Sequence, residues 1–168
     1  MKKRLHRHTI IQLAPDIFGA WVPLLALTAS KTTGLERPKR EAILARLERA
    51  YADLATAPDP TRQSWRDLAD AMNFLQTLIE LEWGQDPDGA IEDIKGALFT
   101  AAKNLERTGK LRLDGPNLAK LRDCIDQLAG LLNQLSAHSY WVAVSHTKNR
   151  INKILRGKRR AGDVVVTV

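Results

Sequence analysis

Residues 110–160 read KLRLDGPNLAKLRDCIDQLAGLLNQLSAHSYWVAVSHTKNRINKILRGKRR, and this stretch decides the fold class. From Leu118 onward its large apolar residues recur at alternating steps of three and four, which puts them on one side of an α-helix. This apolar seam consists of Leu118, Leu121, Ile125, Leu128, Leu132 and Leu135. Asp114 can cap the helix start by accepting a hydrogen bond from a backbone N–H, and Pro116 suits the first turn. The stretch therefore predicts a long helix whose apolar side packs against other helices.

The apolar pattern weakens through 136–139 and then resumes. The later apolar residues are Tyr140, Trp141, Val144, Ile151, Ile154 and Leu155. One helix over 116–156 fits this pattern, and so do two helices that meet between Ser136 and Ser145. An unbroken helix of that length is unusual outside bundles and coiled coils. Both arrangements stay open at the level of the sequence.

Apolar residues at helical spacing also predict helices upstream of this stretch. The first lies around 17–25, with Ile17, Trp21, Leu24 and Leu25 facing the core and Pro23 bending it. The second begins near Pro38. Its inward side consists of Leu44, Leu47, Tyr51 and Leu54, and its solvent side consists of Lys39, Arg40, Arg46 and Arg49.

Two more helices are predicted between Pro60 and Gly109. One begins at a cap formed by Thr61 or Ser64 and carries an apolar stripe of Trp65, Leu68, Met72, Leu75, Ile79 and Trp83. The other runs from Ala90 to about Arg107, and Gly109 is placed where a left-handed C-terminal cap is expected.

These patterns predict an all-α fold, a bundle of five or six helices with a long C-terminal helix as its spine. Residues 1–156 form the predicted single helical domain, and 157–168 form a basic, valine-rich tail. Val164–Val168 is a short β-prone segment that could pair with another copy of the chain or with a partner's sheet edge. The single Cys124 excludes an intramolecular disulfide and favours a reducing, cytoplasmic location.

The first thirty residues have the outline of a secretory signal, with a basic start, an apolar run and then small residues. Asp16 lies inside the apolar run and Pro23 interrupts it, which argues against export. The run is also too broken for a membrane span of about twenty apolar residues. We therefore predict a chain that does not insert into a membrane.

The net charge of +7, from 26 basic and 19 acidic residues, hides a strong asymmetry along the chain. Residues 2–7 hold Lys2, Lys3, Arg4 and Arg7, and residues 148–160 hold basic residues and no acid. By contrast, residues 59–93 hold nine acids against Arg62 and Arg66. The electrostatic field of such a charge distribution can steer a polyanion towards one face of the protein and repel it from another.

Motifs for catalysis or metal binding are weak in this sequence. The histidines are His6, His8, His138 and His146, and no Cys pair or HExxH motif accompanies them. Ser145 and His146 are neighbours, so on a helix they point in different directions, and no Gly-rich nucleophile or phosphate loop is present. The sequence predicts no catalytic residue, no metal site and no cofactor.

The basic end of the chain carries the predicted binding site. The residues concerned are Lys148, Asn149, Arg150, Asn152, Lys153, Arg156, Lys158, Arg159 and Arg160. Lys and Arg neutralise phosphates, and Asn can also reach base edges. The first interpretation is a non-enzymatic nucleic-acid-binding accessory protein. The alternative is a protein-interaction module, such as a host-factor inhibitor or an assembly subunit, which binds through the acidic surface at 80–93 or through the C-terminal strand.

Two resemblances add to this interpretation. Residues 144–158, VSHTKNRINKILRGK, resemble the turn and recognition helix of phage-repressor-type helix-turn-helix proteins. That resemblance implies a turn at Val144-Ser145 and a first helix over 136–143. It also implies a preference for DNA over RNA, with a set of side chains directed towards the major groove of DNA, namely Thr147, Lys148, Asn149, Asn152 and Lys153. Residues 6–9, HRHT, and 109–116, GKLRLDGP, also resemble small helical proteins of unassigned function from proteobacterial phages and plasmids, which implies an accessory role in a mobile element.

Overall fold

The computed structural model describes residues 33–86 and 88–156, and it forms five α-helices there. The helices are α1 (Arg37–Thr56), α2 (Arg62–Glu80), α3 (Ala90–Thr108), α4 (Gly115–Gln134) and α5 (Ala137–Leu155). No strand occurs in these two ranges, so the all-α prediction is confirmed for them. The helix predicted around 17–25 and the tail at 157–168 lie outside the described residues.

The helix ends follow the signals in the sequence. The Asp114 carboxylate caps α4 by accepting from the Asn117 backbone N–H at 2.9 Å. The Thr61 hydroxyl accepts from the Ser64 N–H at 3.1 Å at the start of α2. Gly109 ends α3 in the left-handed conformation, with φ of 70°. These contacts satisfy backbone groups that a helix end leaves without an intrahelical partner.

Helix α2 occupies the centre of the packing, in contact with α1, α3, α4 and α5. It is buried on more than one side because alanines and large apolar residues surround its axis, whereas α4 has a single apolar side. The fully buried side chains of α2 include Leu68, Met72, Phe74, Leu75 and Leu78. The C-terminal stretch was predicted to be the spine of the bundle. Its two helices, α4 and α5, instead pack against α2.

The stretch 115–155 forms two helices, α4 and α5, which decides between the two arrangements that the sequence left open. Leu135 and Ser136 are extended, and the Ser136 hydroxyl caps α5 by accepting from the Ser139 N–H at 3.0 Å. The Leu135 carbonyl accepts from the Leu35 N–H at 3.2 Å, and the Ala137 N–H donates to the Thr33 carbonyl at 2.9 Å. The break is stable because the segment before α1 pairs with the backbone groups that it opens.

Two cations of α1 that were predicted to face water contact other helices. The Arg46 guanidinium binds the buried Asp67 carboxylate of α2 through two bonds of 2.7 Å each. The Lys39 ammonium lies 3.7 Å from the centre of the Trp141 ring of α5. Both contacts join residues far apart in the chain, and the periodicity of α1 contains no information about them.

The end of α2 is a Schellman motif with glutamate in the position that usually takes glycine. The Trp83 N–H donates to the Leu78 carbonyl at 2.8 Å, and the Glu82 N–H donates to the Ile79 carbonyl at 2.9 Å. Glu82 has φ of 62°, a left-handed conformation that side chains with a Cβ disfavour. Because the helix ends at Glu80, Trp83 leaves the predicted apolar stripe and is 37% exposed.

Replacing Glu82 with glycine is expected to raise the free energy of unfolding by about 0.5 to 1 kcal/mol, because glycine adopts this conformation without steric cost. Urea denaturation followed by circular dichroism measures the change. Ala45→Gly, at an exposed position in the middle of α1, is the control and should lower stability by about 1 kcal/mol. A loss of stability in Glu82→Gly would contradict the account of the motif.

Asp70 on α2 is half-buried beside the ion pair of Asp67 and Arg46. Burial raises the pKa of Asp70 to about 6, and the neighbouring Asp67 carboxylate adds to the rise, while Arg46 and Arg66 oppose it. The folded protein therefore holds this proton more tightly than the unfolded chain. Asp70 costs no stability below about pH 4, where it is protonated in both the folded and the unfolded protein. The free-energy cost grows as the pH rises to about 6, because the unfolded chain loses the proton first.

Asp70→Asn is expected to remove this cost. The free energy of unfolding of the variant, minus that of the wild type, should increase by about 2 kcal/mol between pH 4.5 and pH 7.5. Denaturation curves collected across that range test the difference, with the exposed Asp88→Asn as the control. A difference that does not vary with pH would mean that Asp70 ionises in the folded protein as it does in the unfolded chain.

Candidate nucleic-acid interface

The second half of α5 presents a polar, basic face to solvent. His146, Asn149, Asn152, Lys153 and Arg156 are all exposed. They follow one another at steps of three and four or lie side by side, so they share one side of the helix. We call this set of five residues the α5 face. Four of its members belong to the binding site predicted from the sequence, and His146 does not.

The predicted site residue Arg150 lies on the opposite side of α5, in the core. It is 4% exposed, its Nη1 donates to Glu80 Oε1 at 2.7 Å, and its Nη2 donates to the Asn73 carbonyl at 2.8 Å. A buried guanidinium needs such partners because its desolvation is costly. The structure therefore corrects the prediction for Arg150: its side chain is buried and does not belong to the exposed binding surface.

A layer of polar contacts surrounds Arg150 and fixes α5 against α2. The buried Thr147 hydroxyl lies 2.7 Å from the Thr77 hydroxyl, which donates to the Asn73 carbonyl at 3.1 Å. Nearer the start of α5, the Tyr140 ring packs against Phe74 with 5.6 Å between ring centres. Hydrogen bonds have directional requirements that apolar packing lacks. The layer therefore sets the rotation of α5 about its axis, and with it the direction of the α5 face.

The charge on α5 has one sign. Residues 137–156 contain no Asp or Glu, and the α5 face contributes Lys153 and Arg156. Lys148 is half-buried at the edge of this face. Lysine in the last turn also offsets the negative end of the helix dipole, so part of this charge stabilises α5 itself. The predicted site residues Lys158, Arg159 and Arg160 lie outside the described residues.

The turn implied by the resemblance to helix-turn-helix proteins is absent. Val144 and Ser145 lie within α5, which is helical from Ala137 to Leu155. Val144 is buried and Ser145 is half-buried in that continuous helix. Residues 136–143 and 146–156 are therefore two parts of one rod, and they cannot cross at the angle between the two helices of that motif.

The acidic surface at 80–93 is largely occupied by contacts within the chain. Four of its six acids have partners: Glu80 binds Arg150, Asp86 accepts from the Ala90 N–H, Glu92 binds Lys95, and Asp93 binds Lys120. Glu82 and Asp88 are exposed. Of these contacts, Glu80 links α2 to α5 and Asp93 links α3 to α4, while Asp86 and Glu92 act at the start of α3 itself.

The described residues contain no group of three or more His, Cys, Asp or Glu side chains that could hold a metal ion. His138 is half-buried and His146 is exposed, two turns apart on α5. Cys124 is buried, and burial raises the pKa of its thiol to about 11. A thiol with so high a pKa is a poor nucleophile at neutral pH.

Within 33–86 and 88–156, none of the helices has the length and apolar character that crossing a bilayer requires. Comparisons of the whole chain with protein-family models, with curated proteins and with solved structures give no significant match.

Proposed function

We propose that this chain is a non-enzymatic, cytoplasmic nucleic-acid-binding accessory protein of a mobile element, and that duplex DNA is its preferred ligand. The observation that supports the proposal is the α5 face, which exposes two cations and two asparagines on a helix without acids. A helix fits the major groove of duplex DNA. Cations that face solvent on one rigid side can contact phosphates without reorganising the fold.

The α5 face has the two kinds of group that nucleic-acid binding uses. Lys153 and Arg156 lie one turn apart and would neutralise neighbouring phosphates, which releases counterions and makes the affinity depend on salt. Asn149 and Asn152 lie beside them, and an asparagine amide can both donate to and accept from a base edge. Lys158, Arg159 and Arg160 follow in sequence and would extend the phosphate contacts beyond the end of the helix.

The rival function, protein interaction through the acidic surface at 80–93, has less support. Three of its six acids form ion pairs with Arg150, Lys95 and Lys120. A partner that bound there would have to compete with those ion pairs.

Lys153→Gln/Arg156→Gln is expected to weaken binding to duplex DNA by about tenfold or more at low salt, because each lost phosphate contact weakens affinity and lowers the salt dependence. The slope of log affinity against log salt concentration should fall by about two. Fluorescence anisotropy with labelled duplex DNA, single-stranded DNA and RNA at several salt concentrations measures both quantities.

The control variant Arg49→Gln/Lys110→Gln removes the same charge from exposed positions on α1 and after α3. It should change affinity by less than about twofold, because neither residue belongs to the α5 face and exposed charges outside a contact are largely screened by salt. No binding by the wild type at low salt would discard the proposal. Equal losses in the two double variants would show that net charge, and not the α5 face, is responsible.

A further inference from the structure

The loop between α2 and α3 combines an exposed tryptophan with acids that the fold does not use. Its sequence, LEWGQDPDG over 81–89, contains Glu82, Asp86 and Asp88 and no Lys or Arg. Trp83 is 37% exposed. Glu82 and Asp88 are exposed, and within 33–86 and 88–156 neither carboxylate has an ion-pair or hydrogen-bond partner. Both acids are therefore available to a cation from outside the chain.

An open cleft of about 260 Å³ lies beside Trp83, between the end of α2 and the junction of α4 and α5. Its lining includes Trp83, the half-buried Leu131 and the exposed Gln134. We call it the Trp83 cleft. Among aromatic rings, indole attracts cations most strongly, and Glu82 lies next to it in the chain. The cleft therefore suits a lysine or arginine side chain, which has an apolar stem and a charged end.

Trp83 is held at the cleft by a fixed backbone. Its N–H donates to the Leu78 carbonyl in the Schellman motif, and a Cβ at Gly84 would lie 3.0 Å from Leu131 Cδ1. The Gln127 side chain of α4 donates to the Gln85 carbonyl. These contacts order the loop before any partner arrives, so binding there costs little conformational entropy.

The α5 face has the complementary chemistry. Lys153 and Arg156 are exposed on a helix without acids, and neither has an ion-pair partner among the described residues. They are three positions apart, so their Cβ atoms lie about 5–6 Å from each other on one side of the helix. Glu82 and Trp83 are adjacent, with Cα atoms about 3.8 Å apart. At these spacings one cation can stack on the indole while the other pairs with the carboxylate.

The two surfaces of one molecule cannot meet each other. Ser139 lines the Trp83 cleft and belongs to the first turn of α5. Lys153 follows it by 14 positions on the same helix, which is about 21 Å along the axis. The cations of the α5 face can therefore reach only the cleft of another molecule.

We propose that the α5 face of one copy of this chain docks on the Trp83 cleft of a second copy, with Lys153 and Arg156 of the first against Trp83 and Glu82 of the second. Each copy carries both halves of the contact. The overall positive charge opposes association only weakly at physiological salt, where the screening length is about 8 Å. The contact does not depend on nucleic-acid binding, although DNA would compete for the same two cations.

Sedimentation equilibrium of the full chain, freed of nucleic acid, tests the contact. Surface ion pairs are individually weak, so we expect a dissociation constant on the order of 100 µM. The weight-average mass should then rise by about 1.5-fold or more between about 10 µM and 1 mM protein. At about 1 M salt the screening length falls to about 3 Å, and association should be lost. A wild type that stays monomeric at low salt overturns the proposal, whatever its affinity for DNA.

Two variants separate the halves of the contact. Glu82→Gln/Asp88→Asn removes the acids and keeps the α5 face, whereas Lys153→Gln/Arg156→Gln removes the cations and keeps the cleft. Each variant alone should stay monomeric over the same concentrations. An equimolar mixture should associate again, because the α5 face of the first variant fits the cleft of the second. Association of either variant alone at wild-type strength, or a mixture that stays monomeric, contradicts the proposal.

Charge-matched controls are Arg49→Gln/Lys110→Gln for the cations and Asp59→Asn/Glu106→Gln for the acids, all at exposed positions. Both controls should associate like the wild type. Loss of association in a control equal to that in the matching variant would assign the effect to net charge and sink the proposed contact.

Trp83→Ala tests the indole separately from the charges. It should weaken self-association by about threefold, as expected for an exposed cation–π contact. Phe99→Ala removes a ring of similar exposure from α3, 39% against 37%, and should leave association unchanged. Equal weakening by the two variants would show that the Trp83 cleft is not the docking surface.

Discussion

Arg150→Ala is expected to lower the free energy of unfolding by about 4 kcal/mol, the largest effect of any single cation in the described part of the chain. The Arg150 side chain is 4% exposed, and it links Glu80 and the Asn73 carbonyl across the interface between α2 and α5. Its loss leaves those acceptors without this donor and opens space where its methylene groups packed. Urea denaturation at neutral pH measures the change.

Arg156→Ala is the matched control, since it removes the same side chain from the exposed end of α5. It should change stability by less than about 0.5 kcal/mol. The two variants should rank in the opposite order towards DNA at temperatures where both are folded: the alanine at 156 removes a cation of the α5 face and weakens binding more, whereas the alanine at 150 acts only through the orientation of α5. Binding that is weakened more by folded Arg150→Ala than by Arg156→Ala would contradict this assignment.

Phe74→Ala is expected to lower the free energy of unfolding by about 4 kcal/mol, because it leaves a cavity in the centre of the core. Phe74 is fully buried on α2, the helix that contacts every other described helix, and its ring packs on Tyr140 of α5. Thermal and urea denaturation followed by circular dichroism give the magnitude.

Phe99→Ala removes the same ring from α3, where it is 39% exposed and lies under the Lys103 ammonium. It should cost less than about 1 kcal/mol. Similar losses in the two variants would mean that α2 is not the centre of the packing.

The ends of the helices were predictable because their signals are local. Asp114, Thr61 and Gly109 each act within four residues of their own position, so a short window of sequence contains the whole interaction. The apolar seam was predictable for the same reason, and Leu121, Ile125, Leu128 and Leu132 are buried as expected.

Contacts between distant residues account for the features that the sequence could not predict. Arg150 binds Glu80, which is 70 positions away, and Arg46 binds Asp67, which is 21 positions away. A charged residue is normally assigned to the surface unless such a partner is known. The Ser136 break had a local signal, a serine that caps its own helix, but the backbone partners that stabilise it come from Thr33 and Leu35.

The candidate site was therefore predicted in composition and only partly in arrangement. Asn149, Asn152, Lys153 and Arg156 share the exposed side of α5, as a helical reading of the sequence requires. The rotation of α5, which places Arg150 in the core, is set by Thr77, Asn73 and Glu80 on a different helix.

The pairing of residues 33–35 with 135–137 also determines how a load passes through the molecule. Two hydrogen bonds join the two segments, one on each side of Ser136. A force applied to the chain ahead of Thr33 would act on the junction of α4 and α5 before it acts on α1. Such a force would therefore act first on the hydrogen bonds that hold the start of α5, the helix that carries the α5 face.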